Sequence, residues 1–144
     1  MQVKIKRIDT SLPLPEYQTS GAVAFDLYSR VDMTIAPKSL GLIPTNIIVE
    51  IPKGYMLILA SRSSTPKKKG LLVPHGIGII DQDYCGENDE LLLQVYNFTD
   101  QAVPIAKGER MGQGAFVRVD QGEWEEVEEM KDESRGGFGT TGQH

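Results

Sequence analysis

The chain is organised around one short central stretch, His75-Gly76-Ile77-Gly78-Ile79-Ile80-Asp81-Gln82-Asp83-Tyr84-Cys85-Gly86-Glu87. Glycines alternate here with apolar, mostly β-branched residues, which is typical of an extended backbone that something else approaches closely. The N–H and C=O groups of such a backbone can bind the edge of a planar ligand without side chains. Asp81 then places a carboxylate at the mouth of that site, and Tyr84 adds a flat apolar face beside it. The stretch therefore predicts a β-hairpin that binds a ligand, and the alternative is an ordinary hairpin with polar turn residues.

The length and the charge distribution limit the classes of function. A chain of 144 residues predicts one domain with a real core. The net charge is −5, but residues 123–133 contribute seven acids and one lysine, so the rest of the chain is nearly neutral. We expect no nucleic-acid partner, because binding a polyanion requires a basic face. Small phosphates need only a few arginines and backbone amides, and they remain possible ligands.

The single cysteine and the apolar pattern bear on the compartment. Cys85 excludes an intrachain disulfide and a cysteine-based metal cluster, and we expect it to be a small packed residue. Neither a signal peptide nor an apolar run long enough to span a membrane is visible. The sequence therefore predicts a soluble cytoplasmic protein with no membrane partner.

Short strands separated by proline and glycine follow one another along most of the chain. They are expected at residues 3–6, 31–35, 45–51, 55–59, 91–98 and 115–119. This pattern indicates an all-β barrel or sandwich. Only the acidic segment hints at a helix, because Trp124, Val127 and Met130 recur at every third position, and its structure is left open.

Two further stretches contain residues suited to phosphate chemistry. The strand at residues 55–59 leads into Ala60-Ser61-Arg62-Ser63-Ser64-Thr65, where a guanidinium and several hydroxyls leave a buried strand together. Such a group suits phosphate oxygens, and the alternative is a hydroxyl-rich turn. Asp26 lies in an apolar stretch and needs a partner there, such as a backbone amide or a hydrated metal. Lys67–Lys69 are expected to form a solvated loop tip.

The last eleven residues, 134–144, are too rich in glycine to pack a core. They nevertheless contain Arg135, Phe138 and the adjacent Thr140 and Thr141. Glycine-rich backbone with hydroxyls and an arginine can wrap phosphates, while a phenylalanine can stack on a ring. The alternative is a disordered terminus.

Five segments, taken in chain order, resemble the motifs of the trimeric dUTP pyrophosphatases, or dUTPases. They are Ala22–Leu27, Arg62–Ser64, Gly78–Gly86, Gly108–Gln113 and Arg135–Gly142. The chain departs from the family pattern at Ala24, where glycine is usual, and at Gly112, where alanine is usual. The fifth segment also lacks two residues between its arginine and its phenylalanine.

The resemblance implies a jelly-roll-like β fold and a homotrimer with three active sites between subunits. Residues 1–133 would form the β-barrel domain, and residues 134–144 an arm that closes over an active site. The implied reaction is attack of water on the α-phosphorus of dUTP, which yields dUMP and pyrophosphate. The implied cofactor is Mg²⁺, held by the triphosphate.

The resemblance also implies a role for each matching residue. Asp81 would be catalytic and would deprotonate the water, while Tyr84 would pack against the deoxyribose and Asp26 would contact Mg²⁺ through water. The residues expected on the uracil side are His75, Gly78, Ile80 and, as a cover, Phe138. The residues expected around the phosphates are Arg62, Ser63, Ser64, Gln113, Arg135, Gly139, Thr140 and Thr141. For His75 a purely structural bond to the backbone is the alternative.

Two other functions compete with this interpretation. The first is dCTP deaminase or a bifunctional enzyme of the same fold, but Gln94 stands where that family has its catalytic glutamate, and an amide cannot shuttle a proton. The second is a dUTPase-like protein that senses nucleotide and regulates a partner, for which Pro66–Gly70 would be the contact region.

Overall fold

Residues 1–139, the part of the chain that the computed structural model describes, contain eleven short strands and one helical turn. The strands are β1 Lys4–Arg7, β2 Phe25–Tyr28, β3 Met33–Ile35, β4 Leu40–Pro44, β5 Ile47–Glu50, β6 Tyr55–Ser61, β7 Leu71–Leu72, β8 Gly78–Ile80, β9 Leu92–Asn97, β10 Val103–Ile105 and β11 Arg110–Arg118. The helix, α1, is Thr65–Lys69. The all-β prediction is therefore confirmed.

The strands form interleaved antiparallel sheets. The largest has the order β2-β11-β6-β8, a second has the order β4-β9-β7, and β1 pairs with β5 while β3 pairs with β10. Most neighbours in these sheets are distant in the sequence, which is typical of a jelly roll. No helix of the described residues is long and apolar enough to cross a membrane.

One hydrophobic core lies between the two larger sheets. Leu57 and Leu59 of β6 and Leu27 of β2 contribute from one side, and Leu93 and Val95 of β9 from the other. All five are at most 2% exposed. Their spacing of two residues along β6 and β9 is what places them on the same face of their strands.

Glycines on β11 let neighbouring side chains cover this strand closely. A Cβ at Gly114 would lie 2.7 Å from the ring of Phe25, so the ring occupies the space of a side chain. A Cβ at Gly112 would lie 2.7 Å from Cδ2 of Leu93 and 3.1 Å from the carbonyl oxygen of Ala60. Leu93 thus fills the place of the alanine methyl that is usual in the fourth motif.

The structure corrects the prediction of a central hairpin. Within residues 75–87 the structure has a single strand, β8, which pairs with β6, and the residues after it form turns. The loop at residues 73–77 connects β8 to β7, which pairs with β9. The loop turns at Gly76, which has a φ of +82°. The central stretch therefore connects the two larger sheets, and β8 is an edge strand.

Two further expectations have now been resolved. Lys67–Lys69 are part of α1 rather than a loop tip, because Pro66 favours the first helical turn and Gly70, with a φ of +66°, ends the helix. Residues 123–133 form neither helix nor strand and are exposed. A helix there would bring like charges together at spacings of three and four residues.

Candidate active site

The first part of the candidate site is a group of four side chains, Asp26, Arg62, Arg110 and Gln113, which we call the Asp26 cluster. Asp26 is only 7% exposed. Nε of Arg62 lies 3.1 Å from its Oδ1 atom, and Nη1 of Arg110 lies 3.1 Å from its Oδ2 atom. The partner that a buried Asp26 requires is thus a pair of guanidinium groups.

Strand register explains why these residues meet. Asp26 of β2 lies opposite Gln113 of β11, and Gln113 in turn lies opposite Ala60 of β6. Arg62 follows directly after β6, while Arg110 begins β11. The amide nitrogen of Gln113 donates to the carbonyl oxygen of Ser61 at 3.0 Å, which fixes the side chain at the end of the sheet.

The Asp26 cluster has a positive charge left over. One carboxylate neutralises one of its two guanidiniums, and each guanidinium has N–H donors beyond those that Asp26 accepts. Both arginines are partly exposed, and the hydroxyls of Ser63 and Ser64 follow Arg62 in the chain. The arrangement is suited to bind an anion with several oxygens, such as a phosphate group.

Tyr28 lies opposite Arg110 in the sheet. Burial raises the pKa of its phenol, and the negative charges of Glu16 and Asp26 raise it further. The phenol is therefore neutral near pH 7 and does not reduce the positive charge of the Asp26 cluster.

The described residues offer no metal cage made of protein alone. Within residues 1–139, no three histidine, cysteine or acidic side chains are placed to hold one ion. Direct metal ligation by Asp26 does not fit its two arginine partners. Mg²⁺ commonly keeps several waters and takes its other ligands from substrate phosphates, and only contact through water suits Asp26.

The second part of the candidate site is a cavity of about 220 Å³ beside β8. Its lining includes His75, Gly78 and Ile80, together with Leu92 and Gln94 of β9. A Cβ at Gly78 would lie 3.3 Å from Cβ of Leu59 and 3.7 Å from Cε1 of His75, so a side chain there would intrude on this space. Because β8 is an edge strand, one side of it presents backbone donors and acceptors that are free of sheet pairing.

The His75 ring is held by the backbone of its own loop. Its Nδ1 atom lies 2.5 Å from the carbonyl oxygen of Ile77, so Nδ1 carries the proton and donates. This contact agrees with the structural alternative for His75, although the ring also lines the cavity.

Asp81 and Tyr84 follow directly after β8, in the first of two consecutive turns. The N–H of Tyr84 donates to the carbonyl oxygen of Asp81 at 3.3 Å, and a second turn runs from Gly86 to Asp89. Asp81 is exposed at an open cleft of about 530 Å³, and Tyr84 is 38% exposed. Cys85 is half-buried, and its thiol contacts the carbonyl oxygen of Gln82 at 3.7 Å.

Asp81 lies far from the Asp26 cluster within one chain. Since β6 and β8 are antiparallel, Ile80 lies opposite Leu57 and Gly78 opposite Leu59. Asp81 is therefore next to the beginning of β6, whereas Arg62 follows its end. Five residues of extended chain separate Leu57 from Arg62, a distance of about 17 Å.

The remaining predicted residues lie in the C-terminal segment. Arg135, Phe138 and Gly139 are exposed, and Phe138 covers no part of its own chain's cavity. Thr140 and Thr141 lie outside the described residues.

Sequence reasoning did not assign a site role to Arg110, although the fourth motif contains it. It also considered Gln94 only as a difference from the deaminases. Alternation along β9 was a usable signal for Gln94, because Leu93 and Val95 point into the core and Gln94 must then point the other way.

A small cavity at a free strand edge and a separate cationic cluster are the features expected of a nucleotide-binding β protein. A family model, dUTPase, matches residues 10–142 of the chain. The chain is 41% identical over 144 residues to the deoxyuridine 5'-triphosphate nucleotidohydrolase of Nautilia profundicola, with 99% of each sequence covered. It is 37% identical over 148 residues to the enzyme of that name from Dictyoglomus turgidum, again with 99% of each covered. The chain belongs to the dUTPase family.

Solved structures agree with this assignment. The crystal structure of dUTPase from Streptococcus mutans has a TM-score of 0.77 and 32% identity, and the match covers 83% of this chain and 98% of that one. A point mutant of the phage 80alpha dUTPase has a TM-score of 0.86 at 24% identity, over 97% of this chain and 98% of that one. These matches confirm the jelly-roll-like fold.

Proposed function

We propose that this protein hydrolyses dUTP to dUMP and pyrophosphate. The observation that carries the proposal is the position of Asp81, which follows directly after the free edge strand that borders the small cavity. At about 220 Å³ the cavity is smaller than the pockets that hold drug-sized ligands, and it suits a single-ring base. Backbone groups of Gly78 and Ile80 would bind the edge of that base.

The reaction needs a base, a positioned water and stabilised phosphate charge. Asp81 accepts a proton from water as the water oxygen bonds to the α-phosphorus. The bond from the α-phosphorus to the bridging oxygen breaks, and pyrophosphate leaves with that oxygen. Ser63 donates to the oxygens near this bond, while Arg62 and Arg110 neutralise phosphate charge.

Mg²⁺ and the C-terminal arm complete the proposed site. Asp26 would contact Mg²⁺ through water, and Mg²⁺ held by the triphosphate would neutralise part of the negative charge of the phosphates. Ser64 and Gln113 hold phosphate oxygens from the end of the sheet. The arm of residues 134–144 would close the site, with Phe138 over the uracil and with Arg135, Gly139, Thr140 and Thr141 around the γ-phosphate.

We infer that the active form is a homotrimer whose sites are shared. A triphosphate ester cannot reach both Asp81 and the Asp26 cluster of one chain along a direct path, because β6 separates them by about 17 Å. The outer face of the β4-β9 pair also exposes Leu40, Leu42 and Leu92, an apolar surface that a neighbouring subunit would cover. Cyclic symmetry would then join the two parts of each site across an interface.

Substrate preference tests the proposed activity directly. Pyrophosphate release is measured with dUTP, dCTP, dTTP and UTP, each with and without Mg²⁺. We expect fast release from dUTP with Mg²⁺ and release slower by at least about tenfold from each of the others. Equal release from dUTP and dCTP, or none from dUTP, would contradict the proposal.

Tyr84 is expected to exclude the ribonucleotide by contact rather than by hydrogen bonding. If its exposed ring packs against C2′ of the sugar, a 2′-hydroxyl has no room. Replacing Tyr84 with alanine should therefore raise kcat/KM for UTP and narrow the preference for dUTP by about tenfold or more. Steady-state kinetics with both nucleotides measure this, and an unchanged ratio would show that another group selects the sugar.

Gln94 borders the cavity and separates this protein from the deaminases. Because an amide does not transfer protons, incubation of dCTP with enzyme and Mg²⁺ should yield neither dUTP nor dUMP. Chromatography of the nucleotides after prolonged incubation checks this. Deamination at a rate comparable to dUTP hydrolysis would favour the deaminase alternative.

A further inference from the structure

An ion pair between Arg30 and Glu90 lies behind Tyr84. Nε of Arg30 donates to Oε1 of Glu90 at 2.8 Å, and Nη2 donates to Oε2 at 2.9 Å. Oε1 also accepts the backbone N–H of Asn46 at 2.8 Å. The side chain of Glu90 is only 11% exposed, so this pair is better protected from solvent than the surface pairs of the molecule.

The backbone next to Glu90 is fixed as well. The N–H of Leu91 donates to the carbonyl oxygen of Ile47 at 2.9 Å. The carbonyl oxygen of Leu91 accepts both the N–H of Thr45 at 3.0 Å and its hydroxyl at 2.7 Å. Glu90 is therefore held through its side chain and through the residue that follows it.

Tyr84 is attached to this fixed point by its hydroxyl, which donates to the carbonyl oxygen of Glu90 at 3.2 Å. The bond spans the turn from Gly86 to Asp89, so the phenol crosses over its own loop. Tyr84 is 38% exposed and lies in a segment of turns without regular strand. Its hydroxyl is the polar group by which its position can be set.

We propose that the Arg30–Glu90 pair is a positioning element for sugar selection, which acts by holding the Glu90 carbonyl to which Tyr84 is bonded. The inference rests on the proposed function, in which the Tyr84 ring packs against the deoxyribose. Rejection of a 2′-hydroxyl by contact requires a ring that does not move aside. A ring held at its hydroxyl end by a fixed acceptor meets this requirement.

The pair also has a purely structural interpretation, because it connects the loop between β2 and β3 to the segment before β9. Loss of a structural pair would lower the stability of the fold and would change kcat/KM for dUTP and for UTP by the same factor. Loss of a positioning pair would mainly raise kcat/KM for UTP. The ratio of kcat/KM for dUTP to kcat/KM for UTP therefore distinguishes the two roles.

The test is a double-mutant cycle on that ratio. Glu90→Gln removes the charge of the pair at nearly constant shape, and Tyr84→Phe removes the hydroxyl but keeps the ring. Loss of one such hydrogen bond should narrow the ratio by about three- to tenfold in each single variant, chiefly through a higher kcat/KM for UTP. The double variant should match Tyr84→Phe alone, because the two changes break one path.

A matched control is the exposed ion pair between Lys4 of β1 and Glu50 of β5, whose side chains are 81% and 55% exposed. Glu50→Gln should leave the ratio unchanged. Arg30→Lys keeps the charge but not the two-pronged contact, and it should narrow the ratio less than Glu90→Gln does. It also provides the test if Glu90→Gln does not fold.

The outcomes separate this inference from the proposed function. An unchanged ratio in Tyr84→Phe, or effects that multiply in the double variant, would overturn the positioning role. The same holds for a lower Tm with an unchanged ratio in Glu90→Gln. If Tyr84→Ala also leaves the ratio unchanged, the proposed role of Tyr84 itself fails.

Discussion

Replacing Asp81 with asparagine should lower kcat for dUTP hydrolysis by about 10²–10⁴-fold, the range typical of losing a general base. An amide has nearly the shape of the carboxylate but cannot accept the proton of the attacking water. Among the described residues Asp81 forms no ion pair and its carboxylate accepts no hydrogen bond, so the change should leave the fold intact. Binding of dUTP should weaken by no more than about tenfold, because the base and the phosphates are bound elsewhere.

The measurement pairs turnover with binding. Pyrophosphate release gives kcat, and calorimetric titration with an α,β-imido analogue of dUTP gives Kd for each variant. Asp83→Asn is the matched control, since Asp83 is an exposed acid in the same turn. We expect the control to retain most activity. An Asp81→Asn enzyme that kept more than half of the wild-type turnover would exclude Asp81 as the base.

Much of the fold and of the site could be predicted from local sequence. Alternation and β-branched residues marked β6 and β9, because one face of each strand is buried. Asp81 and Arg62 were proposed as site residues from stretches that combine special backbone with chemically suited side chains, whereas Gln113 was proposed only from the family resemblance. The helical turn α1 was not predicted but could have been, since Pro66 and Gly70 are ordinary signals for the start and the end of a helix.

Pairing between distant strands could not be predicted in the same way. Gly78–Ile80 has the pattern of one strand of a local hairpin, yet it pairs with β6, and nothing local distinguishes the two outcomes. The arginine partners of Asp26 could not be predicted for the same reason. Arg110 is 84 residues away and meets Asp26 only because β2 and β11 are neighbours in one sheet.

In the proposed trimer, a complete site takes Asp81 from one subunit and the Asp26 cluster from another. Two variants that are inactive alone, Asp81→Asn and Arg62→Ala, test it when they are assembled into mixed trimers. In a cyclic trimer that contains both variants, about a third of the sites would combine an intact Asp81 with an intact cluster. Both variants retain their C-terminal arm, so the arm does not limit the result.

The matched control mixes Arg62→Ala with Arg110→Ala. Each change disrupts the Asp26 cluster of the chain that carries it, so no chain in the mixture has an intact cluster. No mixed trimer then contains a complete site, and no activity should return. Differently tagged subunits and sequential affinity purification isolate the mixed trimers before the assay.

Pyrophosphate release from dUTP by these purified mixed trimers is the most direct measurement. We expect about a third of wild-type activity for the Asp81→Asn and Arg62→Ala mixture, far above the sum of the two variants. Mixed trimers with activity no higher than that sum would contradict the shared site, because each site would then be complete within one chain.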